Sequence, residues 1–413
     1  MPLLLETDFS HSVVCVNYEL IKTDAQLQRY CKELTDATLI AFDTEFVSEN
    51  TYRPQLCLIQ IAVDERLVVI DPLDIQDIDV FWETLVAPGH ETLVHAGREE
   101  LCFCLDSQGR GPVNLFDVQL AAGLVGFEYP AGYGNLTERV IGKRPNKAET
   151  RTDWRRRPLS DRQIDYALDD VRYLKAIRDA LAERLEQMGR TDWLSSEIQR
   201  WQKSVEDSRG DGRWRRVTGS AGLASRSLVI VRELWRWRDA EACRLDRPPR
   251  RVLRDDLIVE LARRRDAEIK HIKAIRGLDR GGLQSMMPGI SASIQKALDT
   301  PEKDWPQPQR RETNQQSAAL GQFLSTALGS ISRQAKVAPS LVGTVEDVRD
   351  LIAHRLGERR RNQGPPSLTL GWRAEVVGQV LDDILDGKTS IRIVDPRSEH
   401  PLIFEPVAGD KQT

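Results

Sequence analysis

Hydrophobic and polar positions alternate along the first 180 residues in a way that predicts both strands and helices. Apolar runs typical of buried strands occupy residues 37–47, 56–63, 66–73 and 91–97. Stretches with the spacing of amphipathic helices occupy residues 25–34, 98–108 and 159–189. Ser160 stands where it can cap the last of these helices. We therefore expect an α/β domain with a mixed sheet flanked by helices, rather than a doubly wound parallel sheet.

The pattern changes after residue 190. Residues 226–298 are helical throughout, and 300–316 hold three prolines with no apolar periodicity, which is typical of a linker. Another all-helical region follows, with a short apolar tail. The domains that we expect are 1–190 (α/β), 191–225 (helical connector), 226–299 (helical), 300–316 (linker) and 317–413 (helical, with a C-terminal tail).

Composition narrows the class of protein. The 413 residues are 40% hydrophobic and 30% charged, a globular balance rather than a disordered one. No stretch approaches the ~20 uncharged apolar residues of a membrane span. The first residues carry Glu6 and Asp8 and no basic leader, which argues against a secretory signal. Six cysteines form no CxxC pair and are expected to be buried thiols. We expect a cytoplasmic protein without a membrane partner.

Opposed blocks of charge lie behind a formal net charge of only −4. Residues 1–128 hold 7 basic and 22 acidic residues, whereas residues 213–280 hold 19 basic and 10 acidic residues. This partition is expected if one part concentrates cations and another holds a polyanion. The alternative, that both blocks are ordinary solvated faces, is equally compatible with charge alone.

Two pairs of side chains suggest chemistry. Asp43 and Glu45 alternate along a predicted strand, so both carboxylates point to one face, where a divalent cation would neutralise them. Oxygen-only ligands favour Mg²⁺ or Mn²⁺. Tyr166 and Asp170 are four residues apart and share one face of a predicted helix. Taken singly, each pair also fits an ordinary structural role, as surface acids or as a tyrosine at the edge of the core.

A third candidate lies where the strand at 91–97 gives way to a helix. Glu99 and Glu100 fall in the first turn of that helix, close after His95. The helix dipole stabilises acidic residues at this position whatever their function. The segment is therefore ambiguous by itself.

Five segments together resemble the ribonuclease D family of DEDD-type 3′→5′ exonucleases, in the branch with a tyrosine in its last motif. They are DTEF (43–46), YRPQLCLIQIA (52–62), HAGREEL (95–101), FDVQLAAGLVG (116–126) and TRTDWRRRPLSDRQIDYALDDVRYL (150–174), in the order and spacing of the family. The resemblance implies a ribonuclease-H-like domain. It also implies a 3′→5′ exoribonuclease that uses two divalent cations, Mg²⁺ or Mn²⁺, to release nucleoside 5′-monophosphates.

The resemblance also implies roles for single residues. The expected metal ligands are Asp43, Glu45, Glu100 and Asp170, and Tyr166 is expected to position the attacking water. Glu100 departs from the family, whose usual aspartate is one methylene shorter. We hypothesise a stronger than usual preference for Mn²⁺, whose coordination is more forgiving. Phe46 stands where the family contacts the terminal nucleotide, although a role in the core is equally compatible with its position.

Basic segments are the candidates for holding nucleic acid. Arginines that surround Trp154 are expected to contact phosphates, whereas Trp154 itself is expected to pack in the core. Residues 227–264 resemble the first helices of an HRDC domain, and 338–352 and 368–387 more weakly resemble a second one. The nucleic-acid-binding residues that we predict are Phe46, Arg151, Arg155, Arg156, Arg232, Arg236, Arg250 and Arg251.

The substrate that we expect is RNA with a free 3′ end, such as a transfer RNA precursor, with no obligate protein partner. A DNA-directed exonuclease of the same fold is the enzymatic alternative, because the motifs do not sense a 2′-hydroxyl group. The other alternative is an RNA-binding protein whose nuclease site has decayed at Glu100. Retention of the other four site residues argues against decay.

Overall fold

A mixed six-stranded sheet forms the centre of the N-terminal domain. The computed structural model of the protein describes residues 17–145, 152–278, 281–308, 315–358, 364–398 and 400–407. The strands are β1 (Glu19–Ile21), β2 (Leu39–Val47), β3 (Gln55–Val63), β4 (Arg66–Ile70), β5 (Glu91–Val94) and β6 (Leu115–Asp117). Their spatial order is β1-β4-β3-β2-β5-β6. Strand β3 runs antiparallel to both β2 and β4, and the other neighbouring pairs are parallel. The predicted fold class is confirmed.

Helices cover both faces of this sheet. They are α1 (Asp24–Leu34), α2 (Asp79–Leu85), α3 (Arg98–Gln108), α4 (Val118–Leu124), α5 (Tyr133–Ile141), α6 (Asp161–Arg172), α7 (Leu174–Gln187) and α8 (Thr191–Arg209). Ser160 caps α6 in a capping box with Gln163, as the sequence indicates. The helix predicted over 159–189 is two helices that meet at Tyr173.

Residues 211–304 form a helical domain with its own hydrophobic core. Its α-helices are α9 (Ser225–Arg244), α10 (Pro249–Val252), α11 (Asp255–Arg264), α12 (Ile269–Lys273), α13 (Gly281–Gln284) and α14 (Met287–Leu298). Short 3₁₀ helices at Asp211–Arg216 and Glu302–Asp304 flank them. The core packs Leu234 of α9 with Ile258 of α11 and Ile290 of α14.

The last described helices share one hydrophobic core with the sheet instead of forming a separate one. They are α15 (Gln315–Gln334), α16 (Pro339–Val342), α17 (Val345–Arg355), α18 (Gly371–Arg373) and α19 (Gln379–Leu385), with a 3₁₀ helix at Ser367–Thr369 and a π-helix at Ala374–Gly378. A hairpin of β7 (Thr389–Ile393) and β8 (Leu402–Pro406) follows.

Polar contacts reinforce this shared core. The Arg190 guanidinium, before α8, donates hydrogen bonds to the carbonyl oxygens of Leu124, Ala335 and Lys336 at 2.5–2.9 Å. Trp193 of α8 stacks on Trp372 of α18 with ring centroids 5.4 Å apart. The C-terminal helices are therefore packed against α4 and α8. Among the described residues, no helix is long and apolar enough to cross a membrane.

Candidate active site

Strand β2 and helix α6 bring together the residues that the sequence pairs. Asp43 and Glu45 lie on the same face of β2, opposite Gln60 and Leu58 of β3. Helix α6 packs on that face, through a cluster that includes Leu58, Ala167 and the ring of Tyr166. The charges of Glu45, Glu100 and Asp170 all act on Asp43. The structure thus places all four predicted carboxylates in one cluster, with Tyr166 beside them.

Glu100 reaches this cluster from helix α3. It is the third residue of the helix and is buried. The hydroxyl of Thr44 donates a hydrogen bond to its Oε1 atom at 2.6 Å, and the Asp43 carboxyl is also within hydrogen-bonding reach of Glu100. Glu100 is therefore held next to the β2 acids by a partner that lies on β2 itself.

A tight turn between β5 and α3 sets the position of Glu100. Ala96 adopts a left-handed φ of 54°, and a Cβ on Gly97 would lie 2.5 Å from Val94, so only glycine fits there. The buried Asp117 carboxylate accepts hydrogen bonds from the backbone N–H groups of Ala96 and Gly97 at 3.2 and 3.1 Å. It also caps α4 by accepting from the N–H of Gln119 at 2.8 Å. Asp117 therefore ties the turn to the next helix.

Burial raises the pKa values of the four carboxyl groups, and repulsion by neighbouring acids adds to the effect. Burial is the largest cause in each case. Burial and the charges of Asp170 and Glu100 raise the pKa of Glu45 to about 8. The pKa of Asp170 is raised to about 7 by burial and by neighbouring Asp169. Burial and the same cluster raise the pKa of the Tyr166 phenol, which therefore stays protonated at neutral pH.

The composition of the cluster fits divalent cations. Among the described residues, no lysine or arginine forms an ion pair with any of the four carboxylates. The Gln60 amide, opposite Asp43, is fully buried, and neither its Oε1 nor its Nε2 atom has a hydrogen-bond partner within the described part of the chain. Four carboxylates, of which Glu100 is buried and the other three are half-buried, stand without a counter-charge, and oxygen ligands of this kind are the donor set that Mg²⁺ or Mn²⁺ prefers.

The half-buried ring of Phe46 lies at the end of β2. It makes an edge contact with Phe103 of α3, with ring centroids 6.0 Å apart, and Phe103 in turn stacks on Trp82 at 5.8 Å. Phe46 therefore completes an aromatic cluster. Its predicted contact with a terminal nucleotide stays a prediction.

The arginines that precede α6 differ in how closely they pair with Asp153. Arg155 donates to both carboxylate oxygens of Asp153 at 2.8 and 3.1 Å. Arg156 has a side chain that is 85% exposed and lies 3.8 Å from the same aspartate. Trp154 is buried against α6, as predicted. Arg151 lies outside the described residues.

The predicted arginines of the helical domain all have intramolecular partners. Arg232 and Arg236 both pair with Glu233, and Arg250 pairs with Asp255 at 3.1 Å. Arg251 donates to Asn50 Oδ1 at 2.7 Å, in the β2–β3 connection. The same connection is fixed by the Tyr52 hydroxyl, which donates to Asp239 at 2.9 Å. These contacts dock the helical domain beside the end of β2, and the roles of these arginines in RNA binding stay predictions.

Thr44 and Gln60 are residues of this site that the sequence analysis did not single out. Gln60 has a detectable signal, since it is the only polar residue in the apolar run LCLIQIAV. Thr44 has no such signal, because a threonine is common in any strand.

Comparison with known proteins is consistent with this geometry. Residues 18–186 match a family model described as 3′-5′ exonuclease, and residues 227–294 match an HRDC domain. A ribonuclease D from Nitrobacter hamburgensis is 30% identical over 378 residues, which cover 91% of this chain and 97% of the relative. One from Gluconacetobacter diazotrophicus is 33% identical over 382 residues, 89% of this chain and 93% of the relative.

A solved structure shows the same arrangement over nearly its whole length. The crystal structure of Escherichia coli RNase D, described as an exoribonuclease involved in structured RNA processing, superimposes with a TM-score of 0.79 and 29% identity. The match covers 90% of this chain and 99% of that one.

Proposed function

This chain belongs to the ribonuclease D family and is a 3′→5′ exoribonuclease, and we propose that its active site binds two divalent cations through the carboxylates of Asp43, Glu45, Glu100 and Asp170. The exonuclease fold is one that depends on divalent metal. The observation that carries the proposal is the cluster itself: four carboxyl groups, one buried and three half-buried, have raised pKa values, and no basic side chain of the described chain compensates them. Such a cluster is costly unless cations occupy it.

The chain's own residues would orient the reaction. When bound, a pair of divalent cations activates a water molecule and stabilises the leaving oxygen of the phosphodiester. Tyr166, one helical turn from Asp170, keeps its proton at neutral pH and can hold the attacking water by a hydrogen bond. No side chain of the protein becomes covalently attached to the substrate. The products are nucleoside 5′-monophosphates released from the 3′ end.

The substrate class that we propose is structured RNA with a free 3′ end, and transfer RNA precursors are the example that we expect. The support comes from the Escherichia coli relative, which is described as acting in structured RNA processing. A cytoplasmic site of action and the absence of an obligate protein partner belong to the same proposal. Arg156 lies shortly before the start of α6, the helix that carries Tyr166 and Asp170, and its side chain is exposed. Among the described residues it is therefore the best-placed cation for a phosphate contact.

The test uses the full chain with 3′-labelled RNA and DNA of one sequence, in Mn²⁺, Mg²⁺ or EDTA. We expect metal-dependent release of mononucleotides from RNA, and none from the Asp43→Asn variant. The matched control is Asp165→Asn on α6, whose carboxylate pairs with Arg172 and not with the cluster. Release from DNA alone would contradict the proposed substrate class, and no release from either would contradict the metal site.

Tyr166→Phe separates binding from chemistry in the same assay. Removing the hydroxyl that orients the water should lower turnover by about 10²-fold and leave RNA affinity unchanged. A transfer RNA precursor with a 3′ trailer is then compared with an unstructured RNA of equal length. Equal rates on both would contradict the preference for structured RNA.

A further inference from the structure

We propose that Thr44 is a positioning residue that adapts the cation site to a glutamate at position 100; the inference rests on the proposed function above. Its hydroxyl donates a hydrogen bond to Glu100 Oε1 at 2.6 Å, although 56 residues separate the two along the chain. Each residue is only 5% exposed. Buried hydroxyl groups need a partner, and a carboxylate is a strong one.

The two residues meet because of where their elements lie. Thr44 stands between Asp43 and Glu45 on β2, so its side chain leaves the opposite face of the strand. That face carries α2 and α3: neighbouring Phe42 packs on Phe81 of α2. Glu100 lies in the first turn of α3, where Thr44 contacts it from the helix-covered face of β2 and Asp43 contacts it from the face that carries the carboxylate cluster.

Side-chain length explains why this contact matters. An aspartate at position 100 would end about 1.5 Å, one carbon–carbon bond, short of the glutamate carboxylate. The extra methylene gives the Glu100 carboxylate freedom to rotate, and the Thr44 hydroxyl removes that freedom by holding Oε1. Atom Oε2 has no such contact with Thr44 and would remain free to hold a cation. Partners of this kind orient metal ligands and typically change metal affinity by about 10–100-fold.

A double-mutant cycle tests the coupling. The variants are Thr44→Val, Glu100→Asp and the double variant, with Thr44→Ser as the conservative replacement that keeps the hydroxyl. Mn²⁺ affinity of each full-length protein is measured by calorimetry, without RNA. Thr44→Val should weaken Mn²⁺ binding by about 10-fold or more, and Thr44→Ser should restore it. In the Glu100→Asp background the valine should change affinity by less than about twofold, because the shorter carboxylate does not reach position 44.

The possible outcomes separate this inference from the proposed function. Equal losses from Thr44→Val in both backgrounds would overturn the coupling, while Mn²⁺ binding and RNA hydrolysis by the unaltered protein would still support the metal site. If the unaltered protein neither binds Mn²⁺ nor releases nucleotides, the proposed function fails instead. Thermal unfolding of the metal-free proteins checks the fold, and Thr44→Ala replaces Thr44→Val in the cycle if the valine variant does not fold.

Discussion

Arg373 donates one hydrogen bond to each carboxylate oxygen of Glu197, at 2.6 and 2.9 Å, and less than a tenth of either side chain is exposed. This ion pair joins α18 to α8 inside the shared core. Replacing Arg373 by methionine would leave the buried Glu197 charge with only the half-exposed Arg200, at 3.9 Å, as a partner. We expect the free energy of unfolding to fall by about 3–5 kcal/mol, measured by urea denaturation with tryptophan fluorescence, since Trp193 stacks on Trp372 nearby.

Arg392→Met is the control for that substitution. Its ion pair with Glu405 joins the two strands of the C-terminal hairpin, with 59% and 45% of the side chains exposed. An exposed pair contributes at most about 1 kcal/mol. Similar losses from Arg373→Met and Arg392→Met would show that the C-terminal helices are not part of the nuclease core.

Replacing Asp117 by asparagine should lower both stability and activity. The carboxylate accepts backbone hydrogen bonds on both oxygens, from Gly97 on one and from Ala96 and Gln119 on the other. An amide has only one acceptor oxygen, so at least one N–H group loses its partner, at a cost of about 1–3 kcal/mol. The turn before α3 would relax and Glu100 would shift, so turnover should fall.

Asp347→Asn distinguishes the two effects of that change. Asp347 also accepts a backbone hydrogen bond, from Thr344 at 2.8 Å in the capping box of α17. Its replacement should reduce the melting temperature and leave turnover per folded molecule unchanged. If Asp117→Asn behaves in the same way, Asp117 does not position Glu100.

The metal-free protein should become less stable as pH rises from about 4 to about 8. The pKa of Glu45 is raised from 4.5 to about 8, and that of Asp170 from 3.8 to about 7. Between the ordinary and the raised pKa values, the folded chain keeps protons that the unfolded chain releases. Each such proton costs about 1.4 kcal/mol of stability per pH unit.

Melting temperatures measured in EDTA at several pH values check this dependence. The Glu45→Gln and Asp170→Asn variants isolate it, since each should flatten part of the slope relative to the unaltered chain. Added Mn²⁺ should reverse the trend, because cations bind the ionised carboxylates of the folded state. A pH profile in EDTA that the two substitutions do not alter would contradict the coupling of these groups to folding.

Arg156 and Arg155 should differ in their contribution to RNA binding. Arg155 is already neutralised by a two-point contact with Asp153, whereas most of the Arg156 side chain is exposed. Arg156→Ala should weaken binding and reduce the slope of log K against log salt by about 1. Arg155→Ala should have a smaller effect. Fluorescence anisotropy with labelled RNA measures both in an Asp43→Asn background, and equal losses would contradict the distinction.

Local periodicity is what made much of the site predictable. A strand places every second side chain on one face, so Asp43 and Glu45 had to lie together. The spacing of Tyr166 and Asp170 likewise sets their shared helix face. The same periodicity cannot reveal a change in one pair of dihedral angles, which is why the break between α6 and α7 at Tyr173 was not predicted.

Long-range contacts account for what the sequence did not reveal. The basic run in residues 213–280 predicts a surface for RNA, but charge along a chain does not show that Arg232 and Arg236 face Glu233. The bond from Thr44 to Glu100 depends on how a strand and a distant helix pack. Strands β1 and β6 have only three residues each, which is too short for the alternating hydrophobic pattern that predicts a strand.

The shared core also constrains how the enzyme is made. The N-terminal part of a chain leaves the ribosome first, and domains generally fold as they emerge. Here the core beneath the catalytic strand β2 includes Leu341, Trp372 and Leu381, which are synthesised long after Asp170. Its last packing partners therefore arrive only after the helical domain of residues 211–304 has been synthesised. A nascent nuclease surrounded by messenger and ribosomal RNA thus lacks part of its stability while that domain is being made.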